Sequence, residues 1–257
     1  MYGLRRRLTR DSGLFSSARV TAMMLRATLS KAVIALESRT GKPRWVFRRP
    51  TDATDINHCD FDFGASPNII DMVQGRFLGI GGKDGTYYLL NRLTGDLAWR
   101  TPVVFGGFLG GFYGGAVFDG THIFSATGIG DFNPRDPTKR CSSDQSDILP
   151  IQEPSIHAFD AANGHIFWEG NLNHSFGATS LGNGVVFSGL VGLGVPPGPP
   201  ALNAYDAGNG KLLKPPSPIL MPGSVNSAAT PVGDMLFVTS GNSTDGTGGG
   251  VYAFRLP

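Results

Sequence analysis

The segment AFDAANGHIFW, residues 158–168, is one of four copies of a single pattern that decides the fold. The other copies are ALESRTGKPRW (35–45), LLNRLTGDLAW (89–99) and AYDAGNGKLLK (204–214), and the chain ends on the start of a fifth, YAFRLP. The repeat glycines are Gly41, Gly95, Gly164 and Gly210. The chain has three tryptophans, and each follows a repeat glycine by four residues: Trp45, Trp99 and Trp168. Tryptophans scattered through an unrelated core would not keep this spacing, so we interpret the pattern as an internal repeat.

Each complete repeat also has an upstream half. A small-residue stretch such as GASPN (64–68) or GATSL (177–181) is followed by a turn and a short apolar run such as VVFSG (185–189). Four short strands with a period of roughly 40–50 residues plus insertions are typical of β-propeller blades, in which the small residues suit the crowded innermost strand. We therefore predict an all-β fold in which residues 32–257 form a partial β-propeller, about four blades of a larger ring.

Strand order within a blade assigns every connection to one of two faces. With the strands named A to D from the centre outward, antiparallel pairing puts the A–B and C–D turns on one face. The B–C loops and the D-to-A connections then share the other face. The C–D turns are uniform, so we interpret Asp160 and Asp206 as turn-forming residues. The variable segments lie on the opposite face, where binding and catalytic residues are expected.

One D-to-A connection, HCDFDFGASPN (58–68), is acidic on one side and aromatic on the other. Successive side chains alternate along an extended segment, which would put His58, Asp60 and Asp62 on one side and two phenylalanines on the other. We expect Asp62 to face the mouth of the central channel while the phenylalanines pack against the blade. Lys83 lies in the B–C loop of the same blade, so both residues are predicted to share one face.

Composition sets broader limits on the function. With 257 residues and 40% hydrophobic content, the chain is large enough for one domain with a substantial core. The net charge of +2 offers no electrostatic argument for binding nucleic acid or a membrane surface. No apolar run is long enough to span a bilayer.

The first 31 residues differ from the rest. MYGLRRRLTR (1–10) is basic, and the following residues show a weakly helical pattern that includes Val20, Met24 and Ala27. Arg26 interrupts the apolar run, so no core of a signal peptide is visible. We expect residues 1–31 to be a non-repeat N-terminal extension that is foreign to the repeats.

The repeat resembles the blades of dehydrogenases that depend on pyrroloquinoline quinone (PQQ). DFDFGASPN (60–68), GGKDGTYYLLNRLTGDLAW (81–99) and GGFLGGFYGGAVFDG (106–120) look most like the polyvinyl-alcohol dehydrogenase branch. The resemblance covers about residues 32 to 257. It implies the C-terminal part of a quinoprotein that oxidises a small or polymeric alcohol by hydride transfer to PQQ. It also implies Ca²⁺, an electron acceptor such as a cytochrome, and a periplasmic or secreted location.

The resemblance also implies roles for two residues. In that family an aspartate beside the cofactor and its Ca²⁺ acts as the base on the alcohol, and the matching residue is Asp62. A lysine or arginine before the next strand contacts the quinone, and the matching residue is Lys83. A carboxylate can take the hydroxyl proton, and a fixed cation can stabilise charge on a quinone oxygen. Two alternatives remain open: Lys83-Asp84-Gly85 could be an ordinary hairpin turn with a solvated lysine, and Asp60 could form an Asx-turn.

The chain departs from the family pattern in three places. The family takes two further metal ligands, a Glu and an Asn, from blades that come before those of this chain in its eight-bladed ring. No adjacent cysteine pair occurs, and Tyr113 stands where the GGxxWG segment has a tryptophan. Two other functions therefore stay open. One is a non-catalytic, protein-binding propeller that resembles the scaffold subunit of bacterial outer-membrane assembly, and the other is an inactive fragment of the enzyme.

The cysteines and histidines are the remaining candidate functional residues. Cys59 and Cys141 lie on the loop-bearing face of neighbouring blades, where an oxidising compartment would allow a disulfide; two unrelated free thiols are the alternative. No CxxC motif indicates a zinc ribbon or covalent haem. His174 lies on the loop-bearing face and is interpreted as a bystander. The remaining histidines of the repeats are interpreted as structural: His122, His157 and His165.

Overall fold

The structure is a computed structural model, and it describes residues 7–8, 14–18, 31–49, 61–104, 106–107, 109–130, 154–170, 174–192, 198–213, 218–241 and 248–255. The predictions on His58, Cys59, Asp60 and Cys141 lie outside the described residues, so the disulfide stays a prediction. Every regular element in the described part of the chain is a β-strand, which confirms the all-β prediction.

The strands are short and follow one another in antiparallel pairs. They are β1 (Arg7–Leu8), β2 (Leu14–Ala18), β3 (Ala32–Glu37), β4 (Pro43–Arg48), β5 (Asn68–Met72), β6 (Gly75–Gly81), β7 (Thr86–Asn91), β8 (Leu97–Pro102), β9 (Val117–Phe118), β10 (His122–Ala126), β11 (Ile156–Asp160), β12 (Ile166–Gly170), β13 (Ser180–Gly182), β14 (Val185–Leu190), β15 (Ala201–Asp206), β16 (Ile219–Leu220), β17 (Thr230–Val232), β18 (Met235–Ser240) and β19 (Gly250–Arg255). They form five sheets in chain order: β1–β4, β5–β8, β9–β12, β13–β16 and the three-stranded β17–β19.

The first sheet includes part of the segment that was expected to be foreign to the repeats. β2 pairs with β3 from Leu14 opposite Glu37 to Ala18 opposite Val33, and β1 pairs with β2. The predicted boundary at residue 31 therefore divides a four-stranded sheet. Residues 7–18 carry neither the small-residue stretch nor the turn motif of the other repeats, so sequence comparison did not reveal their pairing.

Consecutive sheets pack face to face through apolar clusters. Val33 and Phe47 of the first sheet pack with Ile80 and Tyr88 of the second, and a separate cluster lies at each of the next three junctions. Since the inner sheets are covered on both faces, a strand such as β7 is buried over five consecutive residues. In contrast, β19 alternates between partly buried and exposed side chains, because only one face of the fifth sheet is packed against another sheet in the described part of the chain.

Each repeat tryptophan packs on the turn of the following sheet. The Nε1 of Trp99 donates a hydrogen bond to the carbonyl of Ala161 at 3.0 Å. The Trp99 ring also lies directly against Gly164, the repeat glycine of the third sheet. The same contacts recur for Trp45 with Arg92 and Gly95, and for Trp168 with Ala207 and Gly210. All four repeat glycines adopt a positive φ in the turn, and Gly95, Gly164 and Gly210 also leave room for an indole ring.

The innermost strands β5, β9, β13 and β17 contact one another in sequence. We predicted the innermost strand of the second sheet within residues 64–68, but it begins at Asn68. The small residues lie mainly in the segments that lead into these strands. A Cβ on Gly114 would lie 2.1 Å from the carbonyl oxygen of Gly177, so adjacent backbones approach too closely there for a side chain.

The C–D turns agree with their predicted role. The Oδ1 of Asp160 accepts a hydrogen bond from the N–H of Ala162, and the Oδ1 of Asp206 accepts one from Gly208, both at 2.8 Å. These are Asx-turn contacts, which confirms the two aspartates as turn-forming residues. Within the described ranges, the fifth sheet shows no strand pairing with the first, and no closed ring is formed.

Candidate functional site at the loop-bearing edge

Lys83 lies in a tight turn between β6 and β7. The N–H of Gly85 donates to the carbonyl of Gly82 at 3.2 Å, and the N–H of Gly82 donates to the carbonyl of Thr86 at 2.9 Å. Gly85 has a φ of 78°, and a Cβ at this residue would lie 1.9 Å from the carbonyl oxygen of Val104. The hairpin alternative is therefore correct for the backbone. It is wrong for the side chain, because Lys83 is only 6% exposed.

Asp62 lies in the segment that leads into β5 and is held beside this turn. The N–H of Lys83 donates a hydrogen bond to the carbonyl of Asp62 at 2.9 Å. Phe61 and Phe63 are buried, with 2% and 1% of their surface exposed, whereas Asp62 is half-buried. The predicted alternation is confirmed for Phe61, Asp62 and Phe63, and so is the prediction that Asp62 and Lys83 lie at the same edge of the sheet.

The Lys83 side chain runs past Gly64 to the ring of Tyr113. Its Cγ and Cδ lie 3.6 Å from the point where a Cβ of Gly64 would be, an ordinary van der Waals distance, so the lysine stem packs beside Gly64. The Nζ lies 5.1 Å from the centroid of the Tyr113 ring, within the range of a cation–π interaction. The Tyr113 ring is paired with Phe176 of the next sheet at 4.8 Å between centroids. A cation and two aromatic rings therefore meet beside the segment that carries Asp62.

The backbone contact between Lys83 and Asp62 recurs in the next three sheets. In each, an N–H at the end of the second strand donates to the carbonyl of a residue in the segment leading to the innermost strand. The donors equivalent to Lys83 are Gly128, Val191 and Gly241, and the acceptors equivalent to Asp62 are Gly111, His174 and Ser224. Among these equivalent positions, the carboxylate and the lysine occur only in the second sheet. The repeat thus supplies the backbone geometry, and the second sheet alone adds the pair of charged side chains.

His174 has a structural role at the loop-bearing edge. It is 2% exposed, and its Nδ1 accepts a hydrogen bond from the N–H of Ile129 at 3.0 Å. Burial lowers the pKa of His174 below its usual value, because the charged imidazolium would lose its hydration. A neutral ring with its proton on Nε2 satisfies this bond. The contact with Ile129 supports the interpretation of His174 as a residue outside the chemistry.

A second charged cluster near the turn was not anticipated from the sequence. Asp84, 5% exposed, accepts a hydrogen bond on Oδ2 from the hydroxyl of Tyr88 at 2.5 Å and one on Oδ1 from the N–H of Thr86 at 3.2 Å. Burial raises the pKa of Asp84, while the Tyr88 hydroxyl, the charge of Arg49 and the Thr86 N–H oppose that rise. Burial and the Asp84 carboxylate together raise the pKa of Tyr88. Arg49 is 8% exposed, and its guanidinium carbon lies 4.8 Å from the centroid of the Phe61 ring.

Two other histidines, His157 and His122, have structural partners. His157 is fully buried between the Thr127 hydroxyl at 3.1 Å and the Glu169 carboxylate at 2.8 Å. The ring of His122 is stacked on that of Phe167, with 4.2 Å between centroids. These contacts lie within the third sheet and agree with the structural interpretation of both residues.

Two further features bear on the kind of site. Across the described ranges, no group of three His, Cys, Asp or Glu residues has a geometry that could hold a metal ion. Nor do these ranges include a helix with the length and apolar character needed to cross a bilayer.

The fold is similar to that of several solved structures. A europium-containing methanol dehydrogenase has a TM-score of 0.63 and 16% identity over 92% of this chain and 50% of its own. The quinohemoprotein alcohol dehydrogenase from Comamonas testosteroni has a TM-score of 0.54 and 13% identity, covering 89% of this chain and 40% of its own. The computationally designed Ika8 protein has a TM-score of 0.59 and 13% identity, and the match covers 97% of this chain and 57% of the Ika8 chain. No family model and no curated protein matches the sequence. The chain spans about half the length of these three structures, and at this identity it shares their fold.

Proposed function

We propose that this chain forms part of a PQQ-dependent alcohol dehydrogenase, with Asp62 as the base and Lys83 in contact with the quinone. The observation that carries the proposal is the 2.9 Å backbone hydrogen bond from Lys83 to Asp62, because it holds the two residues side by side at one edge. The fold likeness to a methanol dehydrogenase and a quinohemoprotein alcohol dehydrogenase supports it. The finer proposal, a member of the polyvinyl-alcohol dehydrogenase branch, rests on DFDFGASPN and the Lys83-Asp84-Gly85 turn.

The residues at this edge fit a flat, negatively charged quinone. Tyr113 and Phe176 offer aromatic surface, and the Lys83 ammonium lies above the Tyr113 ring. Aromatic rings stack on flat conjugated ligands, and a partly desolvated cation pairs with their anionic oxygens. Lys83, Tyr113 and Phe176 would therefore hold the quinone.

Calcium fits less well on the residues that the structure describes. Ca²⁺ takes six to eight oxygen ligands. No group of three candidate metal ligands occurs in the described part of the chain, so Asp62 would supply only one carboxylate. A calcium site that includes Asp62 needs most of its oxygen ligands from elsewhere.

The chemistry of the chain itself is a proton transfer and a charge stabilisation. When bound, PQQ would accept a hydride from the alcohol carbon. The Asp62 carboxylate would take the proton from the alcohol hydroxyl, which makes hydride departure easier. The Lys83 ammonium would stabilise the negative charge that develops on a quinone oxygen. Phe61 and Phe63 would keep water from the back of the Asp62 segment, since both are buried.

The wider setting follows from the same proposal. The predicted four blades compare with four four-stranded sheets and the three-stranded β17–β19, and the chain would supply this part of a larger ring, since it covers 50% and 40% of the two dehydrogenase chains. A small or polymeric alcohol would be the substrate, and an electron acceptor such as a cytochrome would reoxidise the quinone. The protein would act in the periplasm or as a secreted protein.

Titration of the purified chain with PQQ, with and without Ca²⁺, tests the proposal. Binding is measured by equilibrium dialysis and by the absorbance of the bound quinone. Lys83→Met is expected to weaken binding about tenfold or more, because it removes a charge-assisted contact. Lys211→Met, at an exposed lysine of a C–D turn, is the matched control and is expected to bind like the wild type.

Turnover with ethanol and with polyvinyl alcohol oligomers, coupled to an electron-accepting dye, tests the base. Asp62→Asn is expected to retain the quinone and lose about 10²-fold or more in turnover, the size expected for a positioned general base. Specific quinone binding that Lys83→Met leaves intact, or turnover that Asp62→Asn leaves intact, would refute the assigned roles. Absence of any specific quinone binding would instead favour the non-catalytic scaffold or the inactive fragment.

A further inference from the structure

We propose that Arg49, Asp84 and Tyr88 form a buried cluster that positions both candidate site residues, Lys83 and Asp62. The inference rests on the proposed function for the roles of Lys83 and Asp62 toward the quinone. The geometric part of the inference, that the cluster holds these two residues in place, can be tested without any ligand.

Hydrogen bonds to Asp84 hold the turn that contains Lys83 against the first residues of β7. Its two carboxylate oxygens accept hydrogen bonds from the Tyr88 hydroxyl and the Thr86 N–H, and both donors belong to β7. A Cβ on Gly82 would lie 2.5 Å from the Asp84 Oδ1, so a glycine there lets the carboxylate fold back over the turn. A buried carboxylate with two fixed donors restricts the backbone on either side of it, which includes Lys83.

Arg49 extends the cluster to the Asp62 segment. It directly follows β4, so it belongs to the first sheet, whereas Asp84 belongs to the second. Its charge acts on the Asp84 carboxylate, and its guanidinium lies 4.8 Å from the ring of Phe61, the residue before Asp62. One buried arginine therefore contacts the Asp62 segment and balances the charge of the carboxylate that holds the Lys83 turn.

The cluster also decides which way the lysine points. Asp84 is the residue after Lys83, and a carboxylate in that position could pair with the lysine ammonium. Because Tyr88, Thr86 and Arg49 interact with Asp84, its charge is balanced on the side toward the first sheet. The Lys83 ammonium lies above the Tyr113 ring, where the quinone would be held.

The rate of acylation of Lys83 by acetic anhydride, followed by peptide mass mapping, measures how well the turn is held. Lys83 is 6% exposed, so its acylation requires local opening of the turn. We expect Asp84→Asn to accelerate acylation of Lys83 about tenfold, while the exposed Lys42 and Lys211 keep their rates. Asp160→Asn, which removes the charge of a half-buried turn aspartate in the third sheet, is the matched control and is expected to leave the Lys83 rate unchanged.

A rescue experiment separates charge balance from simple loss of stability. Arg49→Gln combined with Asp84→Asn removes both charges and allows an amide pair, so we expect the Lys83 rate to return toward the wild-type value. A merely structural role predicts additive damage in the double variant. If Asp84→Asn does not fold, the Lys83 acylation rate is measured in Tyr88→Phe, which keeps the ring in the core and removes the hydrogen bond to Asp84. We expect the same acceleration in that variant.

The outcomes are distinct for the inference and for the proposed function. Faster Lys83 acylation in Asp84→Asn that the double variant reverses supports the inference, whether or not the wild type binds PQQ. An unchanged Lys83 rate in a folded Asp84→Asn or Tyr88→Phe variant, or no recovery in the double variant, overturns it. If PQQ binds, we further expect its affinity to fall in Asp84→Asn and to recover in the double variant. Unchanged affinity in Asp84→Asn would overturn the role of the cluster toward the site.

Discussion

The contact between each tryptophan and the next turn can be tested by comparing two glycines that differ in one respect. Gly41 and Gly164 occupy the same position in their turns, with φ values of 69° and 75°. A Cβ on Gly41 would meet no heavy atom within 4 Å, as far as the described residues show. A Cβ on Gly164 would lie 2.5 Å from the Cε3 of Trp99. Alanine at Gly41 therefore adds only backbone strain, whereas alanine at Gly164 adds strain and a clash.

The expected magnitudes follow from these distances. A left-handed φ costs an L-residue about 1–2 kcal/mol, so Gly41→Ala should lower the free energy of unfolding by roughly that amount. The Trp99 ring cannot simply move away from Gly164, because its Nε1 is bonded to Ala161 and its rings pack on Tyr87. Overpacking of this kind costs about 1–3 kcal/mol. We therefore expect Gly164→Ala to cost about 2 kcal/mol more than Gly41→Ala.

Urea unfolding followed by circular dichroism measures both variants without relying on tryptophan fluorescence. In a Trp99→Ala background the clash with the ring is absent and the Thr101 Oγ1, 2.9 Å from the Cβ position, is the close contact that stays, so the extra cost of Gly164→Ala over Gly41→Ala should fall from about 2 kcal/mol to less than about 1 kcal/mol. Equal costs for Gly41→Ala and Gly164→Ala in the wild-type background, within about 0.5 kcal/mol, would refute the proposed packing of Trp99 on the turn.

Two further predictions concern burial at other positions. Leu202 and Val251 occupy the same repeat position, but their side chains are 1% and 74% exposed. In urea unfolding, Leu202→Thr should therefore lower the free energy of unfolding by about 2–4 kcal/mol and Val251→Thr by less than about 0.5 kcal/mol. Equal costs would contradict the open face of the fifth sheet. Burial lowers the pKa of His174, so its contribution to stability is present above the usual histidine pKa of 6.5 and is lost as the pH falls through the lowered value. His174→Asn keeps an acceptor for the Ile129 N–H. When the free energy of unfolding is measured as a function of pH, this variant should lose less stability at acid pH than the wild type, whereas His165→Asn, at an exposed histidine, should behave like the wild type.

The repeat pattern was enough to predict the architecture within the second to fifth sheets. Strand type, strand order and the Asx-turns at Asp160 and Asp206 depend on residues that are close together in the chain, so a local pattern carries the information. The same strand order predicted that Asp62 and Lys83 lie at one edge, which is confirmed by their backbone hydrogen bond. Their roles toward a cofactor stay predictions.

Other features of the site could not be predicted from the sequence. Asp84 looked like an ordinary turn residue, because nothing nearby in the sequence indicates that Arg49 and Tyr88 reach its carboxylate. A solvated Lys83 stayed an open alternative for the same reason, because its burial beside the Tyr113 ring depends on a residue that is distant in the sequence.

By itself, the sequence determined an all-β chain of repeated antiparallel units, because alternation, turn chemistry and a regular period are local properties. Only the tertiary structure decided how those units meet. It paired β2 with β3 and β1 with β2, set each tryptophan on the following sheet's glycine, and brought the charge of Arg49 to bear on Asp84 in the Lys83 turn. Each of these contacts connects residues that are separated along the chain or that lie in different sheets. Such contacts depend on how the sheets stack, which a one-dimensional period does not specify.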